Sequence, residues 1–399
     1  MPLHPIDAEI LQWVQRAAEE KLIPDFHVHK GIWRPDFLVE SSSEHGGIRN
    51  ERFMLCEINA RFPFELLPTS VYAHKALRGI CADHMGYIPA ADPDTIVDEV
   101  FTLFDPRTPI HVLIGGIDTL SVELFIHLAE QRTGIKPRVT RLTDLRLVKD
   151  NQSRTGFSLY CLKNPRPCPT VQSVESFCDG NILEKIEQVA LQCTQTELRS
   201  LPRDILRHIA CHSVNDLRSI FLVHDKRLLG IILQELQDLV HKHQVLTLEQ
   251  VDMLERGIAP TLIPSSPELE QLISHNRDDS IEIKDDFIVK PAGKGDSEGI
   301  TRGRDMSVDE WNSVVMSMQK PRENPHDTQY IIQRLIHQPV FDLPLNEKQE
   351  ICRTHLVGTY HAVNGRFAGL GVWRSGSGRL QTSGSGDVWL ASITTPLLN

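Results

Sequence analysis

A chain of 399 residues with 40% hydrophobic content holds enough apolar material for about two or three domains with packed cores. Its net charge of −11 is spread along the sequence without a run, which argues against a nucleic-acid-binding surface. No apolar stretch approaches the ~20 residues that span a bilayer, the first residues lack the basic-then-apolar layout of a secretion signal, and the eight cysteines form no Cys-x-x-Cys pair, so a soluble, cytoplasmic protein with free thiols is expected.

Residues 7–22 carry apolar side chains at Ile10, Leu11, Val14 and Ala17, the spacing of a short amphipathic helix. His27-Val28-His29 follows as an extended segment. With no third ligand nearby, a plain strand is favoured there over a metal site. Residues 34–40 and 51–61 then read as a β-hairpin around a loop rich in Ser, Gly and charge. Side chains alternate across a strand, so Glu57, Asn59 and Arg61 share one face, and Met54, Cys56, Ile58 and Ala60 share the apolar other. A turn centred on Gly46-Gly47 puts Asp36 opposite Glu57 and Arg34 opposite Asn59. Two facing carboxylates repel unless a positive charge lies between them. Asp36, Glu57 and the Asn59 carbonyl suit a hard divalent cation, Mg²⁺ in particular. A solvated charged hairpin is the plainer alternative.

Residues 68–78 read as a helix. A new unit begins near residues 106–109, with a strand at 111–116, a helix at 119–133 and a strand at 137–142. This is a βαβ pattern. Gly115-Gly116 at the strand end gives only a weak dinucleotide signal, because the full Gly-x-Gly-x-x-Gly fingerprint is absent. Residues 181–198 and 204–212 read as helices and residues 219–223 as a strand leading into His224-Asp225-Lys226. A helix with the stripe Leu228, Leu229, Ile232, Leu236, Leu239 and Val240 comes next.

Residues 286–291 form a strand ending in Lys290-Pro291, which runs into Ala292-Gly293-Lys294-Gly295-Asp296-Ser297-Glu298-Gly299. Backbone N–H groups of small, Gly-rich loops approach phosphate closely, and Lys adds charge. The spacing is not that of a Walker A loop, so phosphate binding here implies a flexible flap. An ordinary mobile loop reads equally well. Residues 307–318 read as a helix and residues 330–336 as a strand. Residues 355–363 and 367–373 make a hairpin on Asn364-Gly365, and Arg374 stands at its end.

These motifs together resemble the circularly permuted ATP-grasp ligases, the group that includes glutathionylspermidine synthetase and eukaryotic glutathione synthetase. The resemblance runs from Arg34 to Arg374. Arg34-Pro35-Asp36 with Glu57-Ile58-Asn59 looks like the family's Arg-x-Asp and Glu-x-Asn pair. Ile288-Val289-Lys290-Pro291 followed by Glu298-Gly299 looks like its Lys-Pro strand and Glu-Gly flap. The Glu-x-Asn element precedes the Lys flap, as in the permuted branch. After Asn59 the chain departs from the family, with Ala-Arg-Phe-Pro where glutathionylspermidine synthetase has Ala-Asp-Thr-Pro.

The resemblance implies an α/β (α+β) ATP-grasp fold with the nucleotide between two lobes. It divides the chain into a catalytic portion at 1–105 carrying the hairpin, a substrate-side α/β domain at 106–225, a linker and ATP-binding lid at 226–340, and strands completing the catalytic lobe at 341–399. It implies that Asp36, Glu57 and Asn59 hold Mg²⁺ and that Arg34 faces the transferring phosphoryl group. Lys290, Lys226, Gly293, Gly295 and Ser297 would meet ATP phosphates, Glu298 would be either a metal ligand or a residue of the phosphate flap, and Gln333 and Leu335 would meet the base. Arg61 and Arg374 are placed to hold a carboxylate by a two-pronged hydrogen bond. The expected chemistry joins a small-molecule acid to an amine, using ATP and Mg²⁺, with neither nucleic acid nor membrane involved. A nucleotide-binding scaffold and a small-molecule phosphotransferase remain the alternatives.

Overall fold

A computed structural model of the chain describes residues 3–28, 31–43, 49–61, 64–116, 120–163, 175–178, 181–276, 283–294, 299–319, 328–345, 350–375 and 388–394. Its sheets and helices follow from how each segment alternates.

Strands Ile32–Ser43 and Arg49–Asn59 pair antiparallel, with Arg34 opposite Asn59 and Asp36 opposite Glu57. That is the register expected from the sequence, although the turn itself lies outside the described residues. Between Asp36 and Phe37 the register shifts, so Phe37 meets Leu55 and Cys56 is the extra residue of a bulge. The other edge of Ile32–Ser43 pairs with Val357–Val363, bringing Asp36 opposite Thr359. Arg366–Ser375 and Val388–Ala391 complete a five-stranded antiparallel sheet. Asn364 and Gly365 both take positive φ, 50° and 74°, as a tight two-residue hairpin turn requires. Early and late parts of the chain therefore build one sheet. Ile32, Val363 and Ala368 pack against helices Leu67–Gly79 and Pro93–Phe101 through Leu67, Val71, Ile96 and Val100.

The βαβ unit is present as His111–Ile114, helix Leu120–Thr133 and Arg138–Arg141, with the two strands parallel. Its third strand, Val189–Gln192, comes from the segment expected to be helical. Residues 181–198 are in fact a strand Asn181–Lys185, this parallel strand, and a short helix Gln195–Arg199. Val189, Ala190 and Leu191 are buried in succession, so the run lacks the alternation that marks a half-exposed strand. Two further expectations fail. His27 and Val28 lie in a 3₁₀ turn, Phe26–Val28, and His29 lies outside the described residues. Ser219–Val223 is a π-helical turn buried nearly all round, which a continuous apolar run does not distinguish from a strand.

A second lobe holds a four-stranded antiparallel sheet in the order Thr261–Leu262, Tyr330–Arg334, Phe287–Pro291, Thr301–Arg302. Helices Pro267–Asn276 and Val308–Gln319 cover it around Leu269, Val289, Trp311 and Ile332. The lobe is tied directly to the hairpin. Ala259 N–H donates to the Leu55 carbonyl at 2.9 Å, and Ser41 N–H donates to the His337 carbonyl at 3.0 Å. Arg334 reaches Glu40 at 2.6 Å. Met54 and Cys56, on the apolar face of the hairpin, pack against Ala259 and Ile336. Burying Met54 at this seam contributes about 2 kcal/mol.

Among the described residues, no helix is long and apolar enough to cross a membrane.

Candidate active site

The ladder of the hairpin sets two carboxylates side by side, and basic groups from three other parts of the chain meet them. Asp36 is 2% exposed. It accepts from Arg34 Nε at 3.1 Å on one oxygen, and its other oxygen accepts from Arg374 Nη2. Arg34 also donates from Nη1 to the Glu65 carboxylate at 3.1 Å and to the Glu65 carbonyl at 3.3 Å. Burial acts to lower the Arg34 pKa, but Asp36 and Glu65 outweigh it and raise it further above the usual range. This guanidinium stays charged.

Glu65 was not anticipated from the sequence. Leu66, next to it, adopts a left-handed conformation at φ 61°, rare for leucine, and the chain turns there into helix Leu67–Gly79. That turn leaves Glu65 beside Arg34. No spacing in the sequence announces it.

Glu57 pairs with Lys226, Nζ to Oε2 at 3.2 Å. Burial acts to raise the Glu57 carboxyl, but Lys226 and Lys290, with His224 and Arg374, more than offset it and hold the group well below the usual carboxylate range. Lys226 also donates to the Lys294 carbonyl at 2.5 Å, and its backbone N–H donates to the Ala292 carbonyl at 3.1 Å. The lysine thus joins the hairpin carboxylate to the start of the flap. Asp225 is spent on its neighbour Arg227, which pins the local turn.

Lys290 is 7% exposed and donates to Gln333 Oε1 at 2.7 Å. Gln333 in turn donates to Thr261 Oγ1 at 2.8 Å and to the Cys56 carbonyl at 3.4 Å. The Gln333 side chain therefore orients Lys290 and bridges it to the hairpin. The Cys56 thiol is pushed up to about 11 by burial, against the opposing effect of Lys290, so it is inert at neutral pH. The backbone N–H of Leu335 donates to the Asp286 carbonyl at 2.7 Å, within its own lobe. Gly293 lies at the flap's start, where a Cβ would come 3.1 Å from Gln195 Oε1. Gly295, Ser297 and Glu298 fall outside the described residues.

Asn59 and Arg61 are both buried near the end of the hairpin. Asn59 Nδ2 has no hydrogen-bond partner among the described residues. Arg61 lies in the field of Glu197, whose carboxyl it helps to lower against the effect of burial, alongside hydrogen bonds from the backbones of Thr194 and Gly116. Gly116 N–H donates to Glu197 Oε1 at 2.7 Å, and a Cβ on Gly115 would lie 2.0 Å from that carboxylate. The glycine pair admits Glu197, which accounts for it without a dinucleotide.

The donor set fits a magnesium ion in kind. Asp36 and Glu57 face one another, the Asn59 amide is adjacent, and each carboxylate is paired with a basic side chain that a cation would displace or join. Among the described residues no three His, Cys, Asp or Glu side chains converge, so phosphate oxygens and water would have to complete the coordination.

Comparison with known proteins finds relatives of the whole chain and of its first half. Residues 1–222 match the model of the AnkG N-terminal domain. The chain is 38% identical over 365 residues to the ATP-grasp enzyme ankG of Aspergillus thermomutatus, covering 91% of this chain and 75% of that one. It shares its fold with a glutathione synthetase-like effector, GSS30, of Globodera pallida in its apo form. The TM-score is 0.50 at 12% identity, over 97% of this chain and 83% of that one. The domain match over more than half the sequence and the close relative over most of it lead to one conclusion: this chain belongs to the AnkG family of ATP-grasp enzymes.

Proposed function

We propose that the protein is an ADP-forming carboxylate–amine ligase. It joins a small carboxylic or dicarboxylic acid to an amino acid or amine in the cytoplasm. The carrying observation is that Glu57 of the hairpin shares one electrostatic cluster with Lys226, Lys290 and Arg374, and that Arg374 also binds Asp36, opposite Glu57. One magnesium-nucleotide would touch both.

The carboxylate substrate attacks the γ-phosphorus of ATP, the bond to the β-phosphate oxygen breaks, and ADP leaves. The amine then attacks the acyl carbon of the acylphosphate. Phosphate departs with the C–O bonding pair, the amine loses a proton, and an amide remains. Magnesium bound by Asp36, Glu57 and Asn59 would neutralise charge on the phosphates. Arg34, held charged by Asp36 and Glu65, supports the moving phosphoryl group. Lys290, aimed by Gln333, clamps the nucleotide. Arg61 holds the acid substrate, and Arg374, bound to Asp36, keeps the metal carboxylate in place until the ion arrives. The flap after Gly293 excludes water that would hydrolyse the acylphosphate.

The test is a matrix of acids and amines scored by ADP release and product mass. The ligase reading expects release that requires both. Release with acid alone and a stable phosphorylated product would instead establish a phosphotransferase. Nucleotide binding without any turnover would establish a scaffold.

A further inference from the structure

His224 sits where the π-helical turn Ser219–Val223 ends and the lysine-bearing segment begins. It is 2% exposed, and neither ring nitrogen has a hydrogen-bond partner among the described residues. A buried imidazole carries one donor and one acceptor when neutral. Leaving them unmade costs stability, and folded proteins rarely tolerate this without reason. The surroundings supply the reason. His224 lies in the combined field of Arg61, Lys226, Glu57 and Arg34, the groups that surround the proposed reacting centre. π-Turns inside helical segments recur at functional sites, and this one delivers the ring there.

We propose that His224 is a substrate-binding residue that holds the acid substrate by a hydrogen bond from its neutral imidazole. The inference rests on the ligase reading and adds to it the group that completes the carboxylate pocket with Arg61. The largest charge effects on His224 come from Arg61 and Lys226, both cationic, so the ligand that fits beside it is an anion. Burial, then Arg61 and Lys226, hold the ring well below its ordinary pKa, against Glu57. The imidazole N–H is a donor to a carboxylate or acylphosphate oxygen.

The experiment compares His224→Leu and His224→Gln with the wild-type chain by three measurements. Thermal unfolding of the ligand-free protein comes first. Calorimetric binding of magnesium with a non-hydrolysable ATP analogue comes second. The third is hydroxamate formation from hydroxylamine with succinate, malate, L-aspartate and L-glutamate. His224→Leu is expected to keep or raise the melting temperature, because it removes two orphaned polar atoms. It is expected to bind the nucleotide within about threefold of wild type and to lose at least about tenfold in kcat/KM for the acid, mainly through KM. His224→Gln, which keeps a donor, is expected to recover part of that loss. A lower melting temperature in His224→Leu, an equal loss of nucleotide affinity, or an unchanged kcat/KM overturns the proposal. Absence of hydroxamate from the wild-type protein with all four acids counts against the ligase reading, and the melting comparison then still decides whether the imidazole is kept for folding or for a ligand.

Discussion

Lys226 stands 3.2 Å from Glu57, so a lysine that opens the linker helix neutralises a carboxylate in the middle of the hairpin. Its side chain is nearly sealed from solvent, whereas that of Glu57 keeps some access. A buried pair of this kind adds little net stability, but removing one partner strands the other. Here the pair holds the Glu57 carboxylate charged and connects it to residue 294 through the Lys294 carbonyl.

Glu57→Gln keeps the volume and removes the charge. It is expected to lower kcat by at least about a hundredfold and the unfolding free energy by about 1–3 kcal/mol, since Lys226 loses its anion. ADP release and urea unfolding measure the two. A rate within threefold of wild type would place the metal elsewhere.

Gln333→Met removes the acceptor that aims Lys290. A hydrogen bond to a charged group is worth about 1.5–3 kcal/mol, so KM for ATP is expected to rise at least about tenfold, with KM for the acid little changed. An equal rise in both constants would show that the change disturbs the whole site.

Gly115→Ala would drive a methyl group into the Glu197 carboxylate, which accepts from Thr194 and Gly116. The expected cost is about 1–3 kcal/mol in denaturant unfolding. Glu197→Ala removes the obstacle, so the double variant should be no worse than Glu197→Ala alone. Additive losses would contradict the packing argument.

His361, fully buried, is held down to about 3 by burial, then by Arg34 and His74. At pH 7 it is neutral folded and largely neutral unfolded. Below about 6.5 only the unfolded chain takes the proton, so folded stability falls as pH drops toward 3, by up to about 1.4 kcal/mol per pH unit. Urea unfolding at pH 7 and pH 5 measures this. His361→Gln is expected to make the decline shallower by about one proton's worth. An unchanged slope would mean that the imidazole protonates in the folded state.

The sequence shows the hairpin clearly, because one face must be apolar and period-two alternation fixes which residues point together. Arg34–Asn59 and Asp36–Glu57 follow from that alternation despite the bulge at Cys56. Residues 181–198 were opaque for the opposite reason: the parallel strand Val189–Gln192 is nearly all buried, so it carries no alternation to read. The capping box of Thr194 and Glu197 was the available sign that a helix starts only there. Glu65 and His224 could not be found by spacing. Each is positioned by an unusual backbone turn, at Leu66 and at the π-helical segment, which local sequence does not advertise. The contact of Gln333 with Lys290 depends on the cross-strand pairing of Ile288 with Gln333 beside Lys290, a tertiary fact that the sequence does not display.

Calorimetric titration of a magnesium–ATP analogue into wild type, Asp36→Asn and Lys290→Met bears most directly on whether hairpin and lid share one nucleotide. Binding by wild type that depends on magnesium, and at least about tenfold weaker binding by both variants, is the predicted result. No binding by wild type, or normal affinity in either variant, would contradict a shared site.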